Sequence, residues 1–186
     1  MSSVRIIKGD LLIAEPAILG DVTFNRSVII LADTNPTGAI GFILNKPLDF
    51  TLKDVLKNTS SDFIIYNGGP VEQDNLYFIH NKPNLIPDSI EISKGMYWGG
   101  DFDTTLALIN SHSLTKHDIR FFLGYSGWEE NQLKDEIDAN TWLVTPNIYE
   151  SKLIESCDSG IWKQKMLELD ERYSIWSNAP EHPSYN

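Results

Sequence analysis

Two apolar runs near the N-terminus constrain this chain most: Val28 to Ala32, within SVIILA from Ser27, and Ala39 to Leu44 (AIGFIL). Neither alternates cleanly between polar and apolar residues, so each reads as a strand covered on both faces. Asp33–Gly38 (DTNPTG) lies between them and supplies Asn, Pro and Gly, while Asn45-Lys46-Pro47 closes the second run. These are turn formers, and the whole reads as a strand–loop–strand unit. Such a unit needs cover on both sides from the rest of the chain. At about 150 residues per domain one domain is expected. The 186 residues are 41% hydrophobic, ample for a core.

The remaining signals supply both layers. Leu11–Ala14 is a short apolar run stopped by Pro16. Thr51 to Asp54 opens a short helix whose face is Leu52, Val55 and Leu56. Phe63–Tyr66, Leu76–His80, Ile90–Ile92 and Met96–Trp98 read as strands. Gly99-Gly100 breaks the chain, and Asp101 or Asp103 can cap a helix that buries Leu106, Leu108 and Ile109. Arg120–Tyr125 (RFFLGY) is a buried strand, expected to turn at Ser126-Gly127-Trp128. A surface helix over Glu129–Ala139 follows, with Leu133 and Ile137 as its thin apolar stripe, then a strand at Trp142–Val144. Pro146 suits the first turn of another helix. Ile161 to Tyr173 is amphipathic, with Trp162, Lys165, Met166 and Leu169 along one side, and the chain from Asn178 is irregular. Strands dominate the first half and helices the second, without βαβ alternation. The expected class is α+β, one domain over residues 1–186 with a helical tail from about residue 158.

Charge and cysteine content narrow the function. Lys plus Arg number 15 against 26 Asp plus Glu, a formal charge of −11. A net anion is repelled by a polyanion unless a basic patch offsets it, and neither a basic arm nor a helix-turn-helix is evident. Direct nucleic-acid binding and an anionic membrane surface are therefore disfavoured. The lone Cys157 cannot form an internal disulfide, no segment reads as a signal peptide, and the apolar runs fall far short of a membrane span. A cytoplasmic protein is the expectation.

Four segments together resemble the YqgE/AlgH family. They are Phe24–Ile29 continuing through Gly38–Gly41 to Asn45 and Pro47; Tyr66-Asn67-Gly68-Gly69-Pro70-Val71 with His80 beyond; Phe122–Trp128 (FLGYSGW); and Gln132-Leu133, Glu136-Ile137 and Trp142. Their order and spacing match across roughly residues 9 to 150. Met96–Phe102 (MYWGGDF) and Asn178–Pro183 (NAPEHP) look like a branch of that family. The resemblance implies a single compact domain with a branched, mixed β-sheet surrounded by helices, and no established catalytic activity. Its members often carry the label of transcriptional regulator, which names no molecular mechanism. Here Glu129-Glu130-Asn131 stands where the family often has a small Gly- or Pro-containing link.

Ser126 follows an apolar strand, as a hydrolase nucleophile does, but Gly124-Tyr125-Ser126-Gly127-Trp128 lacks the closing glycine of that elbow. The resembled family often has Ala at this position. Gly68-Gly69-Pro70 could line a ligand, although Pro70 removes an N–H and no Lys follows; a strand-ending turn is the alternative. His80 stands at a strand end as a structural or ligand-contacting group. His112 and His117 do not have the i, i+4 spacing of a helical metal pair, Asp101 and Asp103 lack a calcium-loop pattern, and no HExxH or CxxC occurs. No metal or cofactor is expected. Cys157 lies between Glu155 and Asp158, which disfavours a reactive thiolate.

If a site exists, it is expected where the Gly69-Pro70 and Ser126-Gly127-Trp128 turns converge, with Asn45, Gly68 and His80 nearby. Glu129, Glu130 and Glu136 mark an acidic edge, either solvated or a surface for a basic partner. The leading expectation is a non-catalytic binding or regulatory protein, acting through an unknown protein or small-molecule partner. The alternative is a serine hydrolase using Ser126 with His80 or His112 as base.

Overall fold

A computed structural model describes residues 5–16, 21–156 and 158–178. Cys157 and the tail residues from Ala179, His182 among them, lie outside the described residues. The two runs that open the sequence are β2 (Val28–Asn35) and β3 (Gly38–Ile43), antiparallel and joined at Asn35↔Gly38. β1 (Leu11–Ala14) pairs with β2 on one side and with β10 (Trp142–Thr145) on the other.

The expectation of cover on both faces holds residue by residue for β2 and β3, and β1 shares it. Leu11, Ile13, Val28, Ile30, Ala32, Phe42 and Leu44 enter one core cluster, while Leu12, Ala14, Ile29, Leu31 and Ile43 enter another on the opposite face. All twelve are fully buried. Period-two alternation thus survives as alternation between two apolar layers. At about 1.5–3 kcal/mol for each large apolar side chain, these strands are the densest source of burial energy in the fold.

The order β10-β1-β2-β3-β9-β6-β8-β7 runs through the sheet, with β6 (Val71–His80), β7 (Ile90–Ser93), β8 (Met96–Trp98) and β9 (Ile119–Glu129). The sheet curls, bringing the chain just before β1 to β7: the Lys8 ammonium donates to the Glu91 carbonyl at 2.9 Å. Helices α4 (Leu153–Ser156) and α5 (Ile161–Leu169) fill the hollow with Leu153, Ile154, Ile161, Trp162 and Met166. The Trp162 indole donates to the Ala14 carbonyl at 2.8 Å, tying the tail to β1. On the outer side, α3 (Gln132–Asp138) covers the β1–β3 end. The short helix α1 (Leu52–Val55) and α2 (Phe102–Asn110) cover the other end. Asp101 caps α2 by accepting from the Thr104 N–H at 2.8 Å.

The sheet branches at β9. Its Phe121–Leu123 segment pairs antiparallel with β6 and, along the other edge, parallel with β5 (Ile64–Asn67). From Ser126 onward that second edge is taken by β3 instead, antiparallel. β4 (Pro47–Thr51) pairs only with β5. The described residues thus form a compact α+β domain around a branched, mixed sheet.

Three local expectations are corrected. Ser126-Gly127-Trp128 is no turn: β9 continues to Glu129, because Gly38–Gly41 of β3 offers a new partner. The following helix starts only at Gln132, after Asn131 adopts left-handed backbone at φ 64°. Pro146 opens no helix; helical backbone resumes with a 3-10 turn at Glu150–Lys152.

Candidate functional site

The two glycine segments do converge, and their meeting is the branch of the sheet. The Gly68 N–H donates to the Leu123 carbonyl at 2.8 Å, while the Gly68 carbonyl accepts from the Ile43 N–H at 3.0 Å and the Ser126 hydroxyl at 3.1 Å. One residue thereby links β3, β5 and β9. A Cβ on Gly68 would lie 2.2 Å from the Gly124 carbonyl oxygen. At Gly69, φ is +150° and a Cβ would lie 2.3 Å from the Tyr125 carbonyl. The glycines permit backbone-to-backbone approach and leave no space for a ligand between them.

Ser126 is fully buried in mid-strand, its hydroxyl directed at the Gly68 carbonyl. His80 sits at the far end of the β6–β9 ladder, paired with Ile119. Seven residue steps along β9, roughly 20 Å at the usual rise, separate that position from Ser126. The His80 ring is fully buried; Nε2 lies 3.1 Å from the Gly99 carbonyl, and Nδ1 accepts from the Lys82 N–H at 3.1 Å. Those partners fix a neutral imidazole protonated on Nε2. Burial lowers its pKa from 6.5 to about 4, against the opposing pull of the Gly99 carbonyl. Asn45 completes the β2–β3 unit, its Oδ1 accepting from the Val28 N–H at 2.9 Å and its Nδ2 donating to the Arg26 carbonyl at 2.8 Å.

The acidic edge divides in two. The Glu136 carboxylate accepts from the Trp128 indole at 2.9 Å, the Trp142 indole at 2.7 Å and the Gln132 amide at 2.9 Å. Its role is internal: it holds α3 against two buried, edge-to-face indoles. Glu129 and Glu130 are exposed beside a shallow groove of about 320 Å³ that also contains Lys134 and Pro36. Gly127 and Trp128 line a second groove of about 480 Å³. Pro70 is exposed beyond the branch.

The larger and more enclosed cavity lies elsewhere. A cleft of about 750 Å³ opens between β5, the segment after α2 and the start of β9. Phe63, Ile64, Tyr66, His112, Lys116 and Arg120 are among the residues that line it. Arg120 is 7% exposed. Its Nη1 donates to the Leu44 carbonyl at 2.7 Å, and its Cζ stands 4.3 Å from the Tyr66 ring centroid. At the rim, His117 Nδ1 lies 2.9 Å from a Glu155 carboxylate oxygen, bridging β9's approach to α4. Asp62 is also at the rim, exposed.

Of these cleft residues the sequence pointed only to His112, as an alternative base for Ser126, although Arg120 carried a signal. It is a cation heading a strand that is otherwise apolar through Leu123, and a buried guanidinium needs fixed partners. Among the described residues, no group of three or more His, Cys, Asp or Glu is placed to hold a metal. Nor is any helix among them long and apolar enough to cross a membrane.

Comparison with known proteins agrees with this geometry. The family model described as DUF179, AlgH-like, matches residues 11–174. A UPF0301 protein of Bacteroides fragilis is 41% identical over 100% of this chain and 94% of its own length. A UPF0301 protein of Cytophaga hutchinsonii is 38% identical, over 97% of this chain and all of its own. The solution structure of the AlgH protein from Pseudomonas aeruginosa superposes with a TM-score of 0.73 at 26% identity, covering 98% of this chain and 99% of that one. A crystal structure of protein DIP2367 from Corynebacterium diphtheriae, 19% identical, shares the fold with the same TM-score over 96% of this chain and 95% of its own. By sequence along its whole length and by the branched sheet itself, the chain belongs to the UPF0301, AlgH-like family.

Proposed function

We propose that this chain is a non-catalytic binding domain of the cytoplasm, that the cleft beside Arg120 is its binding site, and that any influence on transcription runs through a bound partner rather than through DNA. The observation that carries the reading is a nine-tenths buried arginine lining a cleft of about 750 Å³. Cavities of this size suit small ligands, and a few placed polar groups in an otherwise apolar wall give such sites their selectivity. The formal charge of −11 favours indirect action, since phosphate contacts dominate DNA affinity. A serine hydrolase is less well supported, because the Ser126 hydroxyl is aimed at a backbone carbonyl inside the sheet.

A thermal-shift screen of metabolites, followed by hydrogen-exchange mapping of the hits, tests the reading. Protection is expected in residues 62–66 and 112–120. Protection confined to other segments would overturn the placement of the site. Tight sequence-dependent DNA binding at low salt would overturn the indirect role. Labelling by a fluorophosphonate, lost in Ser126→Ala, would overturn the non-catalytic one.

A further inference from the structure

A second surface, apart from the cleft, lies at the end of the sheet. The strand path ends on β10, and among the described residues no strand lies beyond it. Which of its main-chain groups face outward follows from β1. In an antiparallel pair each residue turns its N–H and C=O to one edge, and the next residue turns them to the other. The Ala14 N–H donates to the Ser27 carbonyl, on the β2 side, while the Glu15 N–H donates to the Thr141 carbonyl, both at 3.0 Å. Ile13 and Leu11 therefore bond to β10, through Leu143 and Thr145 opposite them. Trp142 and Val144 turn their N–H and C=O groups to the outer edge, where no described backbone group meets them.

The edges of this sheet differ in how they are guarded. At β7 the Lys8 ammonium occupies the Glu91 carbonyl, and β4 begins at Pro47. Lys and Pro are common devices for keeping an edge strand from pairing, and β10 (WLVT) carries neither. Its surroundings are acidic instead. Thr141, the residue before β10, lines a shallow groove of about 440 Å³ together with Glu129, Glu130, Asp135 and Glu136. Glu136 is committed to the two indoles, but Glu129, Glu130 and Asp135 are exposed. The described lining holds no Lys, Arg or His. A strand added antiparallel to β10 would carry its C-terminal side past Thr141 towards this groove. A second copy of the chain would bring another charge of −11 to that edge, whereas a cationic segment is attracted to it.

We propose that the outer edge of β10 is a docking strand for an extended, basic segment of a partner protein, which pairs antiparallel with Trp142 and Val144 and places Lys or Arg side chains beside Glu130 and Asp135.

The test is an amide-resolved NMR titration of the full chain with a capped peptide of five alternating Val and Thr residues followed by three Lys. Saturable shifts are expected in residues 141–145 and 130–139 at sub-millimolar peptide. Exchanging the three Lys for Glu should weaken binding at least roughly tenfold, and Glu130→Lys combined with Asp135→Lys should weaken the Lys peptide at least roughly fivefold at an unchanged urea midpoint. The Lys peptide N-methylated at every Val and Thr, which cannot donate to a strand, should lose binding. Equal binding of the Glu peptide, or indifference to the double variant, would overturn the basic partner. Retained binding of the N-methylated peptide would overturn strand pairing. Shifts confined to other residues, or none, would overturn the docking site. Self-association of the chain alone that protects residues 142–145 from exchange would give the edge to a second copy and overturn the proposal as well.

Discussion

The branch at Gly68 and the cleft at Arg120 lie on the same pair of strands, β5 and β9, yet they make opposite use of them. At the branch, β5 leaves β9 and β3 takes its place, so backbones approach within a distance only glycine allows, and the Gly68 backbone and Ser126 hydroxyl bond across strands. In the cleft, one turn of the pleat away, Tyr66 and Arg120 face a cavity. The sequence draws attention to the first region because glycines and aromatics cluster in it. Such a cluster marks close packing as readily as chemistry, and open space around a side chain tells the two apart.

Substitutions should separate the regions by what they damage. The largest effect is expected at the branch: Gly69→Ala places a Cβ 2.3 Å from the Tyr125 carbonyl at a φ of +150°. It should cost more than about 4 kcal/mol, read as loss of folded protein or a collapsed urea midpoint. Glu136→Ala comes next, leaving the buried Trp128 and Trp142 indoles without their acceptor. A loss of about 2–3 kcal/mol in urea denaturation is expected.

His80 gives a pH signature. Its pKa is about 4 when folded against 6.5 ordinarily. Between those values the unfolded chain takes up a proton that the folded one refuses, so stability is full above 6.5, declines as pH falls, and levels off below 4. The total is at most about 3 kcal/mol. His80→Gln should flatten that part of the stability–pH curve relative to wild type. Smaller again is Ser126→Ala, which removes one buried hydrogen bond and should cost about 1 kcal/mol. In the cleft, Lys116→Glu changes an exposed residue and should leave stability within about 0.5 kcal/mol.

The sequence showed the strands well wherever burial was local. The double cover of β2 and β3 followed from apolar runs too continuous for a half-wet strand, and a helix cap at Asp101 or Asp103 from the two glycines before them, of which the fold uses Asp101. It hid what depends on pairing partners distant in the chain. Ser126 looked like a turn because it is small and flanked by Gly127; only the arrival of Gly38–Gly41 extends the strand through it. Glu136 looked like surface because its neighbours in sequence are acidic, while its true neighbours are two indoles, one before α3 and one after. The cleft was least legible, since it joins residues near 64, 116 and 155, and a cavity has no sequence of its own.

A paired measurement of stability and of affinity for a metabolite found in the thermal-shift screen, in two variants, tests the contrast most directly. Ser126→Ala should lower the urea midpoint while keeping the dissociation constant within about twofold of wild type. Lys116→Glu should keep the midpoint and weaken binding. The reverse pattern, with Ser126→Ala abolishing binding at unchanged stability and Lys116→Glu leaving binding intact, would contradict the assignment of the branch to architecture and the cleft to recognition.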